Sequence, residues 1–143
     1  MATTEQIEMM LRKVNKARPS EFFKHSDETQ AGIGAVLRLL DSSQSATAGQ
    51  IGDALNISTA RVAVLIRKMV EKGLVTKEHG LLDARLTIVR LTELGKKTIQ
   101  ELKEEMYQTM GNVIDAVGME RLSEFLEIAE EIRKATKPPE LKF

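Results

Sequence analysis

The stretch from Ser58 to Lys72 combines an apolar stripe with cations on the opposite side. If each residue turns by about 100°, as in an α-helix, one face receives the apolar residues Val62, Leu65, Ile66, Met69 and Val70. The opposite face receives Ala60, Val64, Arg67, Lys68 and Glu71, with Arg61 at its edge. Cations on such a face can bind phosphates or the O6 and N7 atoms of guanine. The pattern predicts a helix that is seated on a core and presents small and cationic side chains to nucleic acid.

Val64 is the exception on this outward face, because it is apolar and β-branched. One interpretation is a contact with a thymine methyl group in the major groove. The other is a solvent-exposed or partly covered valine, which is common on protein surfaces. The sequence leaves both open.

A second candidate lies in a loop between two short β-branched runs, residues 74–79 and 86–91. Two such runs separated by a short loop predict a β-hairpin. Arg85, at the end of the loop, is placed to enter the narrow minor groove of DNA. Asp83 can hold an arginine side chain through a charge-assisted hydrogen bond. The alternative is a surface ion pair without function, since such pairs contribute about 0–1 kcal/mol to stability.

Other chemistries find little support in the sequence. The absence of cysteine excludes disulfides and thiolate metal sites. The histidines, His25 and His79, fall in different predicted elements, and we find no Ser/His/Asp grouping or phosphate-binding loop. We therefore expect neither an enzyme nor a cofactor. Glu21, His25 and Asp27 are a conceivable metal-binding set, but we interpret them as a surface loop and expect no metal.

Charge is distributed unevenly, although the chain as a whole has 21 basic and 21 acidic residues. Residues 58–97 hold nine Lys/Arg against four acids, whereas residues 98–143 hold six against ten. A basic middle between acidic ends suits a polyanion-binding module, although chance unevenness is the alternative. No stretch approaches the roughly 20 apolar residues of a membrane-spanning helix, and the first residues lack the pattern of a secretory signal. We expect a cytoplasmic protein with no membrane partner.

Helices are predicted before the cationic stretch. The spacing of Ile7, Met10 and Val14 predicts a first helix, which ends at Pro19. A second helix begins at a cap formed by Ser26 or Asp27 and stops in a turn at residues 41–45.

A third, short helix begins at Thr47, which has capping-box spacing with Gln50. It extends no further than Asn56, because Ser58 is a fresh N-cap for the next helix, and that helix ends at a glycine cap, Gly73. Two helices across such a short turn predict a helix-turn-helix, and the hairpin that follows is its wing.

The last part of the chain predicts two further helices. One begins after Thr92, ends at Gly118 and spans about 38 Å, which is more than a core of this size can cover. The other runs from Met119 to about Lys134. The apolar stripes of the first, fifth and sixth helices predict a two-fold dimer that buries them. Such a dimer places two recognition helices about 34 Å apart and predicts a pseudo-palindromic binding site.

The sequence resembles the MarR family of winged-helix regulators. The resemblance lies in the Thr47–Ser58 helix-turn, the run Lys72-Gly73-Leu74-Val75, the wing Asp83-Ala84-Arg85, Leu91-Thr92 followed by Gly95, and the helix order. It implies a homodimer paired through its terminal helices, with two winged helices in successive major grooves. It also implies control by a small-molecule effector, bound where the dimerisation helices meet the DNA-binding lobe.

The chain departs from the family pattern in two places. Ala84 stands where the family often has a second arginine, and Ala63 and Val64 stand where polar or basic residues are usual. Both departures remove hydrogen-bond donors, which implies weaker binding or an unusual operator.

Together these observations predict a mainly α fold: a winged helix-turn-helix over residues 27–98, an N-terminal dimerisation helix and connector over 1–26, and C-terminal dimerisation helices over 99–143. The predicted function is a homodimeric regulator, most simply a ligand-responsive repressor, that binds double-stranded DNA. The alternatives are a winged-helix module that binds another protein and a winged-helix regulator of another family. The candidate DNA-binding residues are Ser58, Thr59, Ala60, Arg61, Val64, Arg67, Lys68, Asp83 and Arg85.

Overall fold

A computed structural model of the chain describes residues 1–17 and 28–136. The elements are α1 (Thr4–Ala17), α2 (Glu28–Ser43), β1 (Ser45–Thr47), α3 (Ala48–Leu55), α4 (Thr59–Glu71), β2 (Val75–His79), β3 (Thr87–Leu91), α5 (Glu93–Val117) and α6 (Met119–Ala135). This order confirms the predicted fold class, a mainly helical protein with a helix-turn-helix and a hairpin wing. The predicted helix end at Pro19, the caps Ser26 and Asp27, and the set Glu21, His25 and Asp27 lie outside the described residues.

The chain divides into two compact units. The winged-helix unit is Ser26–Lys103, and the terminal-helix unit is Met1–His25 together with Glu104–Phe143. Helix α5 contributes to both cores, with Ile99 in the first and Ile114 in the second. Within the described ranges, no helix is both long and apolar enough to cross a membrane.

The core of the winged-helix unit is built from the apolar faces of its helices and one strand. Helix α2 contributes Val36, Leu37 and Leu40, all essentially inaccessible to solvent. The other fully buried side chains come from α3, α4, β3 and α5, and they are Ile51, Val62, Leu65, Met69, Val89 and Ile99. Burial of each such side chain stabilises the fold by roughly 1.5–3 kcal/mol relative to leaving it in water.

The sheet of this unit has three antiparallel strands in the order β1-β3-β2. The hairpin strands β2 and β3 pair from Val75↔Leu91 to His79↔Thr87, as the sequence predicted. Strand β1 was not predicted; it pairs with the other edge of β3 and buries Ala46 opposite Val89. Three residues are too few for a period of two to be recognised, and their partner strand lies about forty residues away.

The predicted turn at residues 41–45 is wrong in part, because α2 continues to Ser43. The Ser42 and Ser43 hydroxyls each donate a hydrogen bond to the Leu39 carbonyl at 2.9 Å, so these residues remain in the helix. The helix stops at Gln44, whose φ of 65° is left-handed and turns the chain into β1. Serines favour turns because they compete for backbone partners, but here their hydroxyls bond back along the helix.

The end of α4 and the start of α5 meet in a closely packed joint. Gly73, with a φ of +74°, ends α4 in a Schellman motif in which the Leu74 N–H bonds the Met69 carbonyl at 2.9 Å. The Thr92 hydroxyl donates to the Gly73 carbonyl at 2.6 Å and accepts from the Gly95 N–H at 3.0 Å. A Cβ on Gly95 would lie only 2.1 Å from the Leu74 carbonyl oxygen. The Leu91-Thr92 and Gly95 motif therefore fixes where α5 leaves the winged helix.

In the terminal-helix unit, α1 packs along α6. With Ile114 of α5 they form a core that comprises Met10, Ala17, Ile114, Leu122, Leu126 and Ala129. Lys13 on α1 hydrogen-bonds Ser123 and forms an ion pair with Glu127 at 3.2 Å. The main apolar face of α1 is thus buried within its own chain, so it does not by itself require a second copy.

Another stripe of α6 has no such cover. Phe125, Ile128 and Ile132 are 49%, 47% and 44% exposed, and they follow one another at spacings of three and four residues. Residues at these spacings lie on one helix face. The stripe remains available for a partner.

Candidate nucleic-acid interface

The turn between α3 and α4 is fixed at both ends by capping residues. Thr47 and Gln50 form the predicted capping box at the start of α3. Asn56 ends α3 in the left-handed conformation, with φ 53° and ψ 51°, a backbone region that asparagine tolerates better than most residues. Ser58 then caps α4 by accepting a hydrogen bond from the Arg61 N–H at 3.2 Å. These caps confirm the predicted helix-turn-helix and define where α4 begins.

Helix α4 is seated by Val62, Leu65, Ile66 and Met69, all of which are buried. The opposite side is open, with Ala60, Val64 and Arg67 exposed to solvent. The prediction that Val70 completes the buried stripe is wrong, since Val70 is exposed. At 100° per residue it lies at the edge of the stripe, and Gly73 ends the helix before a neighbour covers it.

The cations of this face differ in exposure. Arg67 is exposed, whereas Lys68 and Arg61 are half-buried. Neither Arg67 nor Lys68 forms an ion pair with any residue that the structure describes. Ser58 and Thr59 are exposed at the helix N-terminus, where backbone N–H groups point outward and attract anions. This end of α4 can therefore meet phosphates while its exposed side meets base edges.

The wing loop displays its arginine in a fixed orientation. Asp83 accepts hydrogen bonds at Oδ1 from the Arg85 backbone N–H at 3.0 Å and from Nε at 3.1 Å. The guanidinium side chain is nevertheless 92% exposed. Hydrogen bonds from the Arg85 side chain and backbone hold the pKa of the Asp83 carboxyl below its usual value of 3.8. The carboxylate is consequently charged at neutral pH and orients Arg85 without covering it.

The wing carries a feature that the sequence analysis did not identify. Leu81 and Leu82 are fully exposed at the tip of the loop. The sequence places both leucines just before Asp83. A predicted hairpin does not by itself indicate whether loop side chains face the core or the solvent. Arg90 on β3 pairs with Glu78 on β2 at 2.8 Å, so that cation is partly neutralised within the hairpin.

The structure thus gathers the candidate DNA-binding residues into one unit. Asp83 and Arg85 lie in the wing loop, and the others lie on α4 or at its N-cap. In residues 1–17 and 28–136, no cluster of His, Asp and Glu is suited to hold a metal ion.

Comparison with known proteins bears directly on this geometry. A sequence profile of the MarR family matches residues 34–87, from within α2 through α4 to the start of β3. The HTH-type transcriptional regulator YdgJ of Bacillus subtilis is 25% identical over 132 residues, which are 91% of this chain and 80% of that protein. The winged-helix part of this chain therefore matches the MarR family. The interpretation as a winged-helix regulator of another family is thereby set aside.

Two further similarities extend this picture. The transcriptional regulator AdcR of Streptococcus pyogenes is 33% identical over 95 residues, covering 66% of this chain and 63% of AdcR. The crystal structure of the heme sensor PefR from Streptococcus agalactiae has a TM-score of 0.67 with both chains fully covered. At 14% identity that likeness shows the fold alone. The family match and the relatives named as transcriptional regulators together support a DNA-binding transcriptional regulator.

Proposed function

We propose that this protein is a MarR-family regulator that binds a pseudo-palindromic operator as a homodimer and represses transcription. In each copy α4 enters the major groove and the wing follows the adjacent minor groove. The observation that carries the proposal is the two-sided α4, on which Val62 and Leu65 are buried while Ala60, Val64 and Arg67 remain exposed. A recognition helix needs this combination, because it must be seated firmly and yet be free to enter DNA.

The candidate residues divide by the groups they would contact. Ser58, Thr59 and Lys68 suit phosphates, which position the protein without reading sequence. Arg67 and Val64 suit base edges, with Val64 facing a thymine methyl. Arg85 suits the minor groove, where a narrow width strengthens the attraction for a guanidinium. Arg61, half-buried at the helix edge, suits a supporting phosphate contact.

The proposed dimer is supported by the uncovered stripe of α6. In a two-fold pair, the stripe of each copy would be covered by the other copy. This stripe consists of Phe125, Ile128 and Ile132. The terminal-helix unit is then the dimerisation element and the winged-helix unit the DNA-binding element. We expect the two α4 helices to be about 34 Å apart, one turn of DNA.

Repression and control by an effector are proposed from the relatives. One relative, IacR of Pseudomonas putida, is named a transcriptional repressor and is 26% identical over 96 residues, which are 58% of its length. PefR was crystallised with heme. A groove of about 550 Å³ between α1 and α6 is of a size that small molecules occupy, and it is lined by Met9, Met10 and Met119 together with Ser123 and three glutamates. It lies within the terminal-helix unit and not at the position that the family resemblance implies. A thermal-shift screen tests this proposal: a molecule that raises the melting temperature should also change DNA affinity, and stabilisers without that effect would contradict it.

DNA binding itself is tested by fluorescence anisotropy with duplex DNA over a range of salt concentrations. Affinity should fall steeply with salt, with a log–log slope of about −0.9 for each phosphate contact. Footprinting on the intergenic DNA beside the gene should then show two protected stretches one helical turn apart. Absence of salt-dependent binding would instead favour a winged-helix module that binds protein.

A further inference from the structure

The tip of the wing presents two adjacent leucines to solvent. Leu81 and Leu82 are fully exposed, whereas other exposed leucines of the described chain keep partial cover, as Leu94 does at 50%. Isolated exposed apolar residues are ordinary on protein surfaces, but a pair at full exposure on a projecting loop is not explained by folding. These side chains add nothing to the core.

The loop that carries them is closed rather than loose. The Gly80 N–H donates to the Leu86 carbonyl at 3.0 Å, and the Leu86 N–H donates to the Asp83 carbonyl at 3.1 Å. The Asp83 side chain further binds the Arg85 backbone at 3.0 Å. These bonds close the loop on both sides of the two leucines, so the loop backbone loses less conformational entropy when it binds.

We propose that Leu81 and Leu82 form an apolar wedge that enters the minor groove with Arg85 and partly unstacks a base step. This inference rests on the proposed function, because it requires the wing to lie against DNA. Apolar side chains inserted from the minor groove are a known means of kinking a duplex. Asp83 orients Arg85 without covering it, so the guanidinium remains available to the groove as the leucines enter.

A consequence for sequence preference follows from the cost of unstacking. Pyrimidine–purine steps such as TA and CA/TG unstack easily, whereas A-tracts are stiff. The wedge therefore selects a flexible step at a fixed distance outside the bases that α4 reads, even though no hydrogen bond reads that step. A wing with arginine alone would favour the narrow groove of an A-tract instead.

The test is selection of binding sites from a library of random 40-base-pair duplexes, with the full chain and a double variant, L81S/L82S. The matched control is Leu94→Ser, which removes an exposed leucine on α5 outside the wing. We expect the full chain and the control to enrich a pyrimidine–purine step beside each half-site. The double variant should select the same central bases without that step. In direct titration the natural chain should prefer a TA flank over an AA flank by about tenfold, and the variant should show no preference.

The outcomes separate the wedge from the proposed function. If the natural chain selects no DNA at all, the proposed function fails and the wedge with it. If it selects a half-site but the double variant retains the flanking step, only the wedge is overturned. A lowered melting temperature of the double variant, or dissociation of an assembly in sedimentation without DNA, would also overturn it, because the leucines would then have a structural partner. As a direct check, 2-aminopurine placed at the step should brighten with the natural chain and remain quenched with the variant.

Discussion

Arg85 extends into solvent over 92% of its side-chain surface, while Asp83 binds both its backbone and its guanidinium. A free arginine loses rotamer entropy when it binds, and a side chain that is already oriented loses less. The sequence alone predicted this pair from the Asp83-Ala84-Arg85 spacing and an assumed hairpin. The contact distances and the exposure could come only from the folded loop.

Replacement of Arg85 by alanine should weaken DNA binding by about 1–3 kcal/mol without changing thermal stability, because the side chain supports no core contact. The matched control is Arg90→Ala on the same hairpin, whose guanidinium is paired with Glu78. Anisotropy titrations and melting curves measure the two effects. A lowered melting temperature in the Arg85 variant would make the residue structural.

The Asp83 carboxyl gives the wing a defined pH dependence. Since hydrogen bonds from Arg85 lower its pKa, the pair is intact above the ordinary carboxyl value of 3.8 and is lost only as the pH falls through the lower folded value. The carboxyl therefore stays ionised at about pH 6 to 8. We expect Asp83 to contribute nothing to any change in DNA binding across that range. The Asp83→Asn variant should show the same relative affinities across that range. A difference in slope between the two proteins would contradict the assignment.

Arg67 and Lys68 differ in exposure but share the absence of an ion pair within the described ranges. If Lys68 contacts a phosphate, Lys68→Ala should make the salt slope shallower by about one unit. Arg67→Ala should instead reduce discrimination between operator and arbitrary duplex if the guanidinium reaches a base. Arg121→Ala, an exposed cation on α6, is the control and should alter neither. An unchanged slope would remove Lys68 from the phosphate contacts.

At the scale of elements, signals within a few residues predicted the helices well. Pairing between distant segments of the chain could not be predicted in this way. The caps Thr47 and Ser58 and the terminator Gly73 placed α3 and α4 correctly, because a cap acts through hydrogen bonds within three residues. Strand β1 was missed, because its existence depends on an edge of β3 far along the chain. Val70 was misplaced for a related reason: periodicity gives the direction of a side chain but not the element that covers it.

Gly95 makes a very close backbone contact in the joint between α4 and α5. Its replacement by alanine would bring a Cβ to 2.1 Å from the Leu74 carbonyl oxygen, a backbone atom that cannot move independently. We expect a loss of about 1–3 kcal/mol in the free energy of unfolding, the usual cost of overpacking. Gly49→Ala, where the nearest atom would be 3.9 Å away, is the control and should be neutral or slightly stabilising. Urea denaturation measures both, and equal stabilities would refute the close approach.

At the scale of the whole molecule, the terminal helices use their apolar surfaces in two ways. One part is buried inside the chain, where Met10 and Leu126 belong to the core between α1 and α6. The other part, Phe125, Ile128 and Ile132, is left uncovered. The sequence showed stripes on all the terminal helices but not which of them pair within one chain. Only the folded structure shows which apolar surfaces are buried within the chain and which are left uncovered.

The proposed homodimer gives a direct prediction for assembly. The double variant F125E/I128E places two carboxylates on the uncovered stripe, and unpaired charges cannot be buried there without a large desolvation cost. Sedimentation should show the natural chain at about twice its 15.9 kDa mass and the variant at the monomer mass. Glu124→Gln, a change of an adjacent exposed residue, is the control. A natural chain that sediments as a monomer at micromolar concentration would refute the dimer.

The strand order β1-β3-β2 has a consequence for how the hairpin opens. Because β3 is bonded along both edges and β2 along one, the two halves of the wing differ in how often their amide protons meet water. Deuterium should reach the outward edge of β2 first and the amides of β3 last. If a bound duplex strains the wing, we expect β2 to detach before β3, because β3 is also paired with β1.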